Sequence, residues 1–420
     1  MTRLLLLTDS YPPLIGGATR DTALLGEALT TRGHDITVGT LRSPGLFREE
    51  DMNDVHVIRI SSATAALSGD PNRSHIAPLP DPVTSTLLRR MIKRGAFDLI
   101  HSYGWITYSV VAALHGSDIP LLLSIRDYAN ICANRAMMQQ LGNHVQLPCS
   151  GPGPMKCLRC SHSYYGRPAK TIGAVGGLLL FRGQLRERLD GIHYCSTYMQ
   201  SILGDSLVNR AGPAKNQAIE RVIPSFRAAS ESGEPDKRIL AQLPGAPFIL
   251  FVGALRSVKG LDVLLAAYEQ MAAAPPLVLI GASSDWHVSS LPKGVSHFEN
   301  VSHPTVMAAW SRALFGVVPS LWPEPLGNVV HEAMSQGRPV VGTAPSGMTD
   351  MITNGVDGLL VPPGDVIRLR EAMQLLTEDA SLRLRLGTSA KTKSQLFTES
   401  IIMPRFEQLY AELIDRGHRA

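Results

Sequence analysis

A chain of 420 residues is too long for one compact core and suits two domains. Its 44% hydrophobic and 18% charged content is that of an ordinary globular protein and excludes a disordered one. A formal net charge of +4 is too mild to imply a nucleic-acid partner and favours anionic small molecules or an anionic membrane surface.

In chain order, Arg3 to Thr8 reads as a first strand, and its apolar core, Leu4 to Leu7, is too short for a secretory signal. A loop with two prolines and the pair Gly16-Gly17 leads to a helix over Thr19 to Thr31, with Ala23, Leu24, Leu25, Ala28 and Leu29 on one face. Gly33 stops that helix, and Asp35 to Gly39 forms the second strand. Asp98 to His101 and Pro120 to Ser124 are further short strands, so strands alternate with helices and a parallel sheet is expected. Ile172 to Phe181 spans ten residues, half of a transmembrane helix, and the expected compartment is the cytoplasm.

Ser225 to Gly245, rich in Ser, Glu, Pro and Lys, reads as a linker. Phe248 to Val252 opens a second unit, followed by a helix over Leu261 to Ala273 and a strand over Leu277 to Ile280. A last helix over Met403 to Asp415 carries Phe406, Leu409, Tyr410 and Leu413 at helical spacing. The expected layout is a first domain over 1–225, a linker over 226–245, a second domain over 246–400 and a terminal helix over 401–420.

The most informative stretch runs from Pro319 to Met334. Glu324 stands in a proline-flanked turn, and Glu332, after seven intervening residues, stands one turn inside the helix that follows. Phe315 to Val318 before them and Gly337 to Thr343 after them read as buried strands, so both carboxylates sit at the C-terminal end of a parallel strand, where such sheets bind ligands. The backbone N–H groups of Leu326, Gly327 and Asn328 lie between them and suit a phosphate. Ribose, diphosphate and hexose follow in that order in a nucleotide-sugar. Read alone, the pair is also compatible with a solvated helix face.

Other segments join this block: Tyr11-Pro12-Pro13-Leu14-Ile15-Gly16-Gly17, Arg32-Gly33-His34-Asp35, Phe251-Val252-Gly253, Lys259-Gly260 and Asn354 to Asp365. Taken in this order, the chain resembles the retaining glycosyltransferases of family 4 over nearly its whole length. The resemblance implies the GT-B fold: α/β, with two facing Rossmann-like domains, parallel sheets and a deep cleft between them. It implies that Gly16, Gly17 and Gly253 line the donor side, that Lys259 binds the diphosphate, that Glu324 binds hydroxyls of the donor hexose, and that Glu332 binds the ribose. It also implies that the last helix crosses back to the first domain. Glycine at 16 and 17 allows a positive φ and a close approach of ligand, or marks a plain turn.

Two positions depart from the family pattern. Ala254 stands where relatives have an arginine, and Arg256, two residues on, is expected to take that role beside Lys259. Arg126-Asp127 stands where many relatives have His-Asp on the acceptor side. An arginine cannot act as a base near neutral pH, so Arg126 either binds the acceptor or pairs with Asp127. Tyr103 replaces a second histidine, and His101 reads as a packed residue. With no Asp-x-Asp pair, the resemblance implies metal-independent transfer with retention by same-face attack and no protein nucleophile.

Four of the five cysteines, Cys132, Cys149, Cys157 and Cys160, fall in one loop over about 130–165, and a subset of the family carries a similar cysteine-bearing insertion. A structural zinc is one reading, with His144 and His162 as alternative ligands; free thiols and a disulfide are the others. Arg167, Lys170, Arg182, Arg186 and Arg188 flank Ile172 to Phe181, either to seat the domain on an anionic membrane or as the charged ends of a buried helix. The function expected is transfer of a hexose from a nucleoside diphosphate sugar to a hydroxyl acceptor: a glycan, a lipid-linked glycan or a small molecule. The competing readings are a nonhydrolysing sugar-nucleotide epimerase and a nucleotide-sugar-binding protein with a decayed site.

Overall fold

The computed structural model describes residues 1–14, 16–64, 77–141, 144–208, 217–227, 233–283 and 291–417, without the side chains of residues 18 and 141–147. It divides into unit 1, Met1–Phe226 with Glu399–Ala420, and unit 2, Arg227–Thr398.

Unit 1 begins with β1 (Arg3–Thr8), α1 (Gly17–Thr31), β2 (Asp35–Leu41), β3 (Glu49–Met52), β4 (Val55–Ile60) and α2 (Pro82–Gly95). β5 (Leu99–Tyr103), α3 (Ile106–Ala113), β6 (Leu121–Ile125), and the hairpin of β7 (Met138–Leu141) and β8 (His144–Pro148) follow. Then come α4 (Pro154–Tyr165), α5 (Pro168–Arg188), β9 (Gly191–Tyr194), α6 (Thr197–Leu207) and β10 (Ile219–Val222). Among the described residues the main sheet runs β10-β9-β6-β5-β1-β2-β4-β3, parallel except at the β3–β4 edge. Leu4 to Leu7 are fully buried, as an all-apolar run must be in a sheet covered on both faces. Strand order reverses between β1 and β5, so the loops after these two strands open a crevice at their C-terminal ends.

Unit 2 holds α7 (Lys237–Gln242), β11 (Phe248–Val252), α8 (Leu261–Glu269), β12 (Leu277–Ile280), β13 (Val295–Phe298), α9 (His303–Arg312) and β14 (Ala313–Val318). It continues with α10 (Asn328–Ser335), β15 (Val340–Thr343), α11 (Met348–Met351), β16 (Leu359–Val361), α12 (Val366–Glu378) and α13 (Ala380–Ser394). Its parallel sheet has the order β13-β12-β11-β14-β15-β16, the doubly wound pattern, with the reversal between β11 and β14. α7 lies inside the segment read as linker: Asp236 caps it by accepting from the N–H groups of Arg238 and Ile239. Residues 228–232 of that segment lie outside the described residues. α8 stops four residues short of the expected end, ahead of Pro275-Pro276.

The chain then returns to unit 1 as α14 (Glu399–Gly417), which buries Ile402, Met403, Phe406, Leu409, Tyr410 and Leu413 against Leu4, Leu6 and Leu122. A buried hydrogen-bond chain ties it to the sheet. The Tyr410 hydroxyl donates to His101 Nδ1 (2.9 Å), His101 Nε2 donates to Ser124 Oγ (2.6 Å), Ser124 donates to His193 Nδ1 (2.5 Å), and His193 Nε2 donates to the Ile223 carbonyl (2.6 Å). The terminal carbonyl can only accept, so it fixes a proton on His193 Nε2, and with both imidazoles neutral the remaining bonds run in the direction given.

Burial, and then Arg126, hold His193 down to about 3, and burial followed by the neighbouring His193 holds His101 well below 6.5. In the unfolded chain both titrate near 6.5, so below that pH the unfolded state binds more protons and stability falls as pH drops. Each histidine adds a slope of about 1.4 kcal/mol per pH unit until its folded value is reached. Thermal unfolding is therefore expected to move down steadily between about pH 6.5 and about pH 4, and a flat midpoint over that window would contradict the neutral chain.

Candidate active site

In unit 2 the loops leaving β11 and β14 are stitched together. The Val258 carbonyl accepts from the N–H groups of Leu321 (2.9 Å) and Trp322 (3.2 Å). Gly260 makes this approach possible: its φ is +74°, and a Cβ there would lie 2.0 Å from the Pro319 carbonyl oxygen. The stitching brings Lys259 onto Glu324, with Nζ 2.6 Å from Oε1. The Ser320 hydroxyl donates to the same oxygen at 2.6 Å. The Glu324 side chain is 6% exposed and that of Lys259 24%, so the pair is mostly dry yet reachable from one side. Lys259 Nζ also lies 5.0 Å from the centre of the Trp322 ring.

α10 starts immediately beyond. Its N-cap is Gly327, at φ +87°, and no side chain caps the first turn. Backbone N–H groups there can receive an anion. Leu326 is buried beneath, and Asn328 is the first helical residue. Glu332, one turn on and 13% exposed, accepts from His303 Nε2 (3.1 Å) and Trp310 Nε1 (3.4 Å). Gly253 ends β11, donating to the Ile280 carbonyl (2.9 Å), and Ala254 beyond it is exposed. Half-buried Arg256 opens the short 3-10 turn Ser257–Lys259. Cations and a helix start without a side-chain cap thus stand beside two carboxylates, a set suited to a diphosphate flanked by hydroxyl-bearing rings.

In unit 1, Gly16 and Gly17 follow β1 as expected, but for a different reason. Gly16 is extended (φ 174°), and neither residue has a positive φ. A Cβ on Gly17 would meet nothing within 4 Å, so this glycine leaves open space instead of relieving strain. Ile15, between them and β1, lies outside the described residues.

Arg126 corrects a second expectation. It pairs with Asp21, not Asp127, donates to Ser225 Oγ (2.8 Å), and stacks 5.6 Å from the Tyr103 ring centre. Its side chain points into the core from the end of β6 and is 10% exposed. Asp127 instead receives Arg135 through Nε (3.0 Å) and Nη2 (2.7 Å). Arg135 also lies 3.7 Å from Asp9, whose carboxylate caps α3 through the N–H groups of Trp105 (3.0 Å) and Ile106 (2.7 Å). Asp9, Arg135, Ser320, Trp322, His303 and Trp310 lie outside the sequence-based site. Ser320 and Trp322 had a signal in their closeness to Glu324; Arg135, eight residues past Asp127 in the cysteine loop, had none.

The cysteine loop folds as the β7–β8 hairpin followed by α4. Burial pushes Cys132 up to about 11, with Cys160 and Cys149 adding to the effect, and burial raises Cys160, with Cys149 and Cys157 adding to it. Among the described residues no three His, Cys, Asp or Glu side chains already surround a common point. The side chain of His144 lies outside the described residues.

α5 is half-buried, not enclosed. Thr171, Ala174, Val175, Leu178 and Leu185 face inward, while Ile172, Leu179 and Leu180 are exposed. No described helix is long and apolar enough to cross a membrane.

The family of glycosyl transferases group 1 matches residues 234–393, and the glycosyl transferase 4-like domain matches residues 16–214. The chain is 24% identical to glycogen synthase of Mycobacterium tuberculosis, over 93% of this chain and 90% of that protein. It is 24% identical to a D-inositol 3-phosphate glycosyltransferase of Arthrobacter sp., over 84% and 81%. Sucrose-phosphate synthase from Thermosynechococcus elongatus superposes with a TM-score of 0.76 at 21% identity, covering 99% of this chain and 100% of that one. HepE from Anabaena in complex with UDP and glucose superposes at 0.67 and 18% identity, covering 98% and 100%.

Proposed function

The chain is a glycosyltransferase of the GT4 type with the GT-B fold, and on that premise we propose that it moves a hexose from a nucleoside diphosphate sugar to a hydroxyl acceptor, with retention and without a metal ion. The observation that carries this reading is the 2.6 Å Lys259–Glu324 pair beside the uncapped start of α10, at the point where strand order reverses. Lys259, with Arg256 in the same loop, balances charge that grows on the diphosphate as its bond to the sugar breaks. The α10 N–H groups add to that balance. Glu324 orients the hexose, and Glu332 the ribose. The acceptor oxygen bonds to the anomeric carbon on the face the diphosphate leaves, and its proton passes to the departing phosphate. On the acceptor side, Asp127 and Arg135, 30% and 38% exposed, are the groups offered to hydroxyls.

Calorimetry with UDP, GDP and ADP tests the donor site, and the HepE complex makes UDP the first choice. One diphosphate is expected to bind, and Glu332→Ala to weaken it about tenfold or more, the loss of about 1.4 kcal/mol or more from a charged hydrogen bond. No binding at millimolar nucleotide would overturn the reading.

The proposed setting is the cytoplasmic face of an anionic membrane. Residues 154–186 carry Lys156, Arg159, Arg167, Lys170, Arg182 and Arg186 and no carboxylate. Beside these cations Met155 (65%), Ile172 (65%), Leu179 (56%) and Leu180 (73%) are exposed. The protein is expected to float with phosphatidylglycerol-containing vesicles and not with pure phosphatidylcholine, and Leu179→Glu with Leu180→Glu to abolish this. Equal recovery with both lipids would remove the membrane from the proposal.

A further inference from the structure

We propose that Cys132, Cys149, Cys157 and Cys160 together bind one structural zinc ion. The site is separate from the donor site, and its test does not depend on transferase activity.

The four cysteines lie on three segments of one hairpin-and-helix unit. Cys132 precedes the β7–β8 hairpin, and Cys149 leaves it, held by its N–H on the Met137 carbonyl (2.7 Å). Cys157 and Cys160 lie three residues apart in α4, and such residues share a helix face. α4 packs on β7, and Tyr165 at its end donates to the Ala133 carbonyl (2.6 Å), one residue past Cys132. A hairpin feeding a helix that presents C-x2-C near its start is a frame on which tetrahedral thiolate sites are built.

Asn134 marks how close the sulfurs are. Its Oδ1 accepts from Cys132 (2.8 Å), and its Nδ2 donates to Cys160 (3.3 Å), so one amide spans two of the four. Backbone N–H groups also aim at sulfur: Gln140 at Cys160 (3.2 Å) and Gly153 at Cys157 (3.3 Å). Donors aimed at sulfur are the outer shell that steadies thiolates on a metal. Cys132 and Cys149 currently donate their S–H groups, to Asn134 and to the Gly151 carbonyl (3.3 Å). These are the protons zinc displaces, and binding requires the sulfurs to draw in, since among the described residues no three of them surround a common point as they stand. All four cysteines are half-buried, whereas Cys195 is buried elsewhere.

Metal analysis of protein purified without chelator is expected to give about one zinc per chain, as four-cysteine sites do. Cobalt reconstitution is expected to give thiolate charge-transfer and tetrahedral d–d bands. Cys157→Ser with Cys160→Ser should lose both, and Cys195→Ser should keep them. If the double variant does not fold, the wild-type metal content still decides. Less than about a tenth of an equivalent, with no cobalt bands after reconstitution, overturns the site. So does iron with acid-labile sulfide, or a pair of missing thiols in metal-free denatured protein.

Discussion

Lys259→Ala is expected to lower kcat by about 10²–10³, the usual cost of removing one preorganised electrostatic group from a transition state. The same substitution strips Glu324 of its ion pair in a site where the carboxylate is 6% exposed. Because Lys259 itself is 24% exposed, the stability cost should fall below that of a fully buried pair, at about 2–3 kcal/mol. Stability and catalysis can then be separated. Adding Glu324→Gln removes the stranded charge and should restore most of the stability, while leaving kcat low. Urea unfolding and steady-state kinetics on both variants read the two quantities. A Lys259→Ala enzyme within about threefold of wild-type kcat would rule out its place in catalysis.

Gly260→Val should be the most damaging single change to the donor site without touching a charged group. Its φ of +74° lies where a β-branched residue is strongly disfavoured, and a Cβ would meet the Pro319 carbonyl at 2.0 Å. That carbonyl is backbone in the facing loop, so it cannot swing aside as a side chain would. The loss expected is about 3–5 kcal/mol by urea unfolding. Nucleotide affinity should fall with it, because Lys259 is the preceding residue and loses its bearing on Glu324. Unfolding within about 1 kcal/mol of wild type would mean that the two loops do not meet as described.

The fold was legible because its strands are short apolar runs, such as Leu4 to Leu7 and Phe248 to Phe251, punctuated by glycines. Such runs have few alternatives to a covered parallel sheet. The placing of Glu324, Gly327 and Glu332 around the start of α10 was legible because they are close in sequence, so local geometry alone sets their spacing. Partners far apart were not legible. Arg126 meets Asp21 across 105 positions, and Arg135 meets Asp9 across about half of unit 1. Nothing local favours Asp21 over the adjacent Asp127; the direction in which β6 ends decides it. The pair Gly16-Gly17 was visible as glycine, but which of the uses open to it is realised was not, because sequence does not distinguish a positive φ from room left beside the backbone.

The return of α14 to unit 1 makes unit 2 an insertion. Its first and last residues, Arg227 and Thr398, pair side by side as a bridge. During synthesis, unit 2 can therefore complete its contacts while unit 1 still lacks Phe406, Tyr410 and the donor to His101. Unit 1 is begun first and finished last. A nonsense mutation near position 399 should thus spare nucleotide binding and leave unit 1 open along the face that α14 covers. Such a protein would keep its grip on the donor with nothing folded to pass the sugar to.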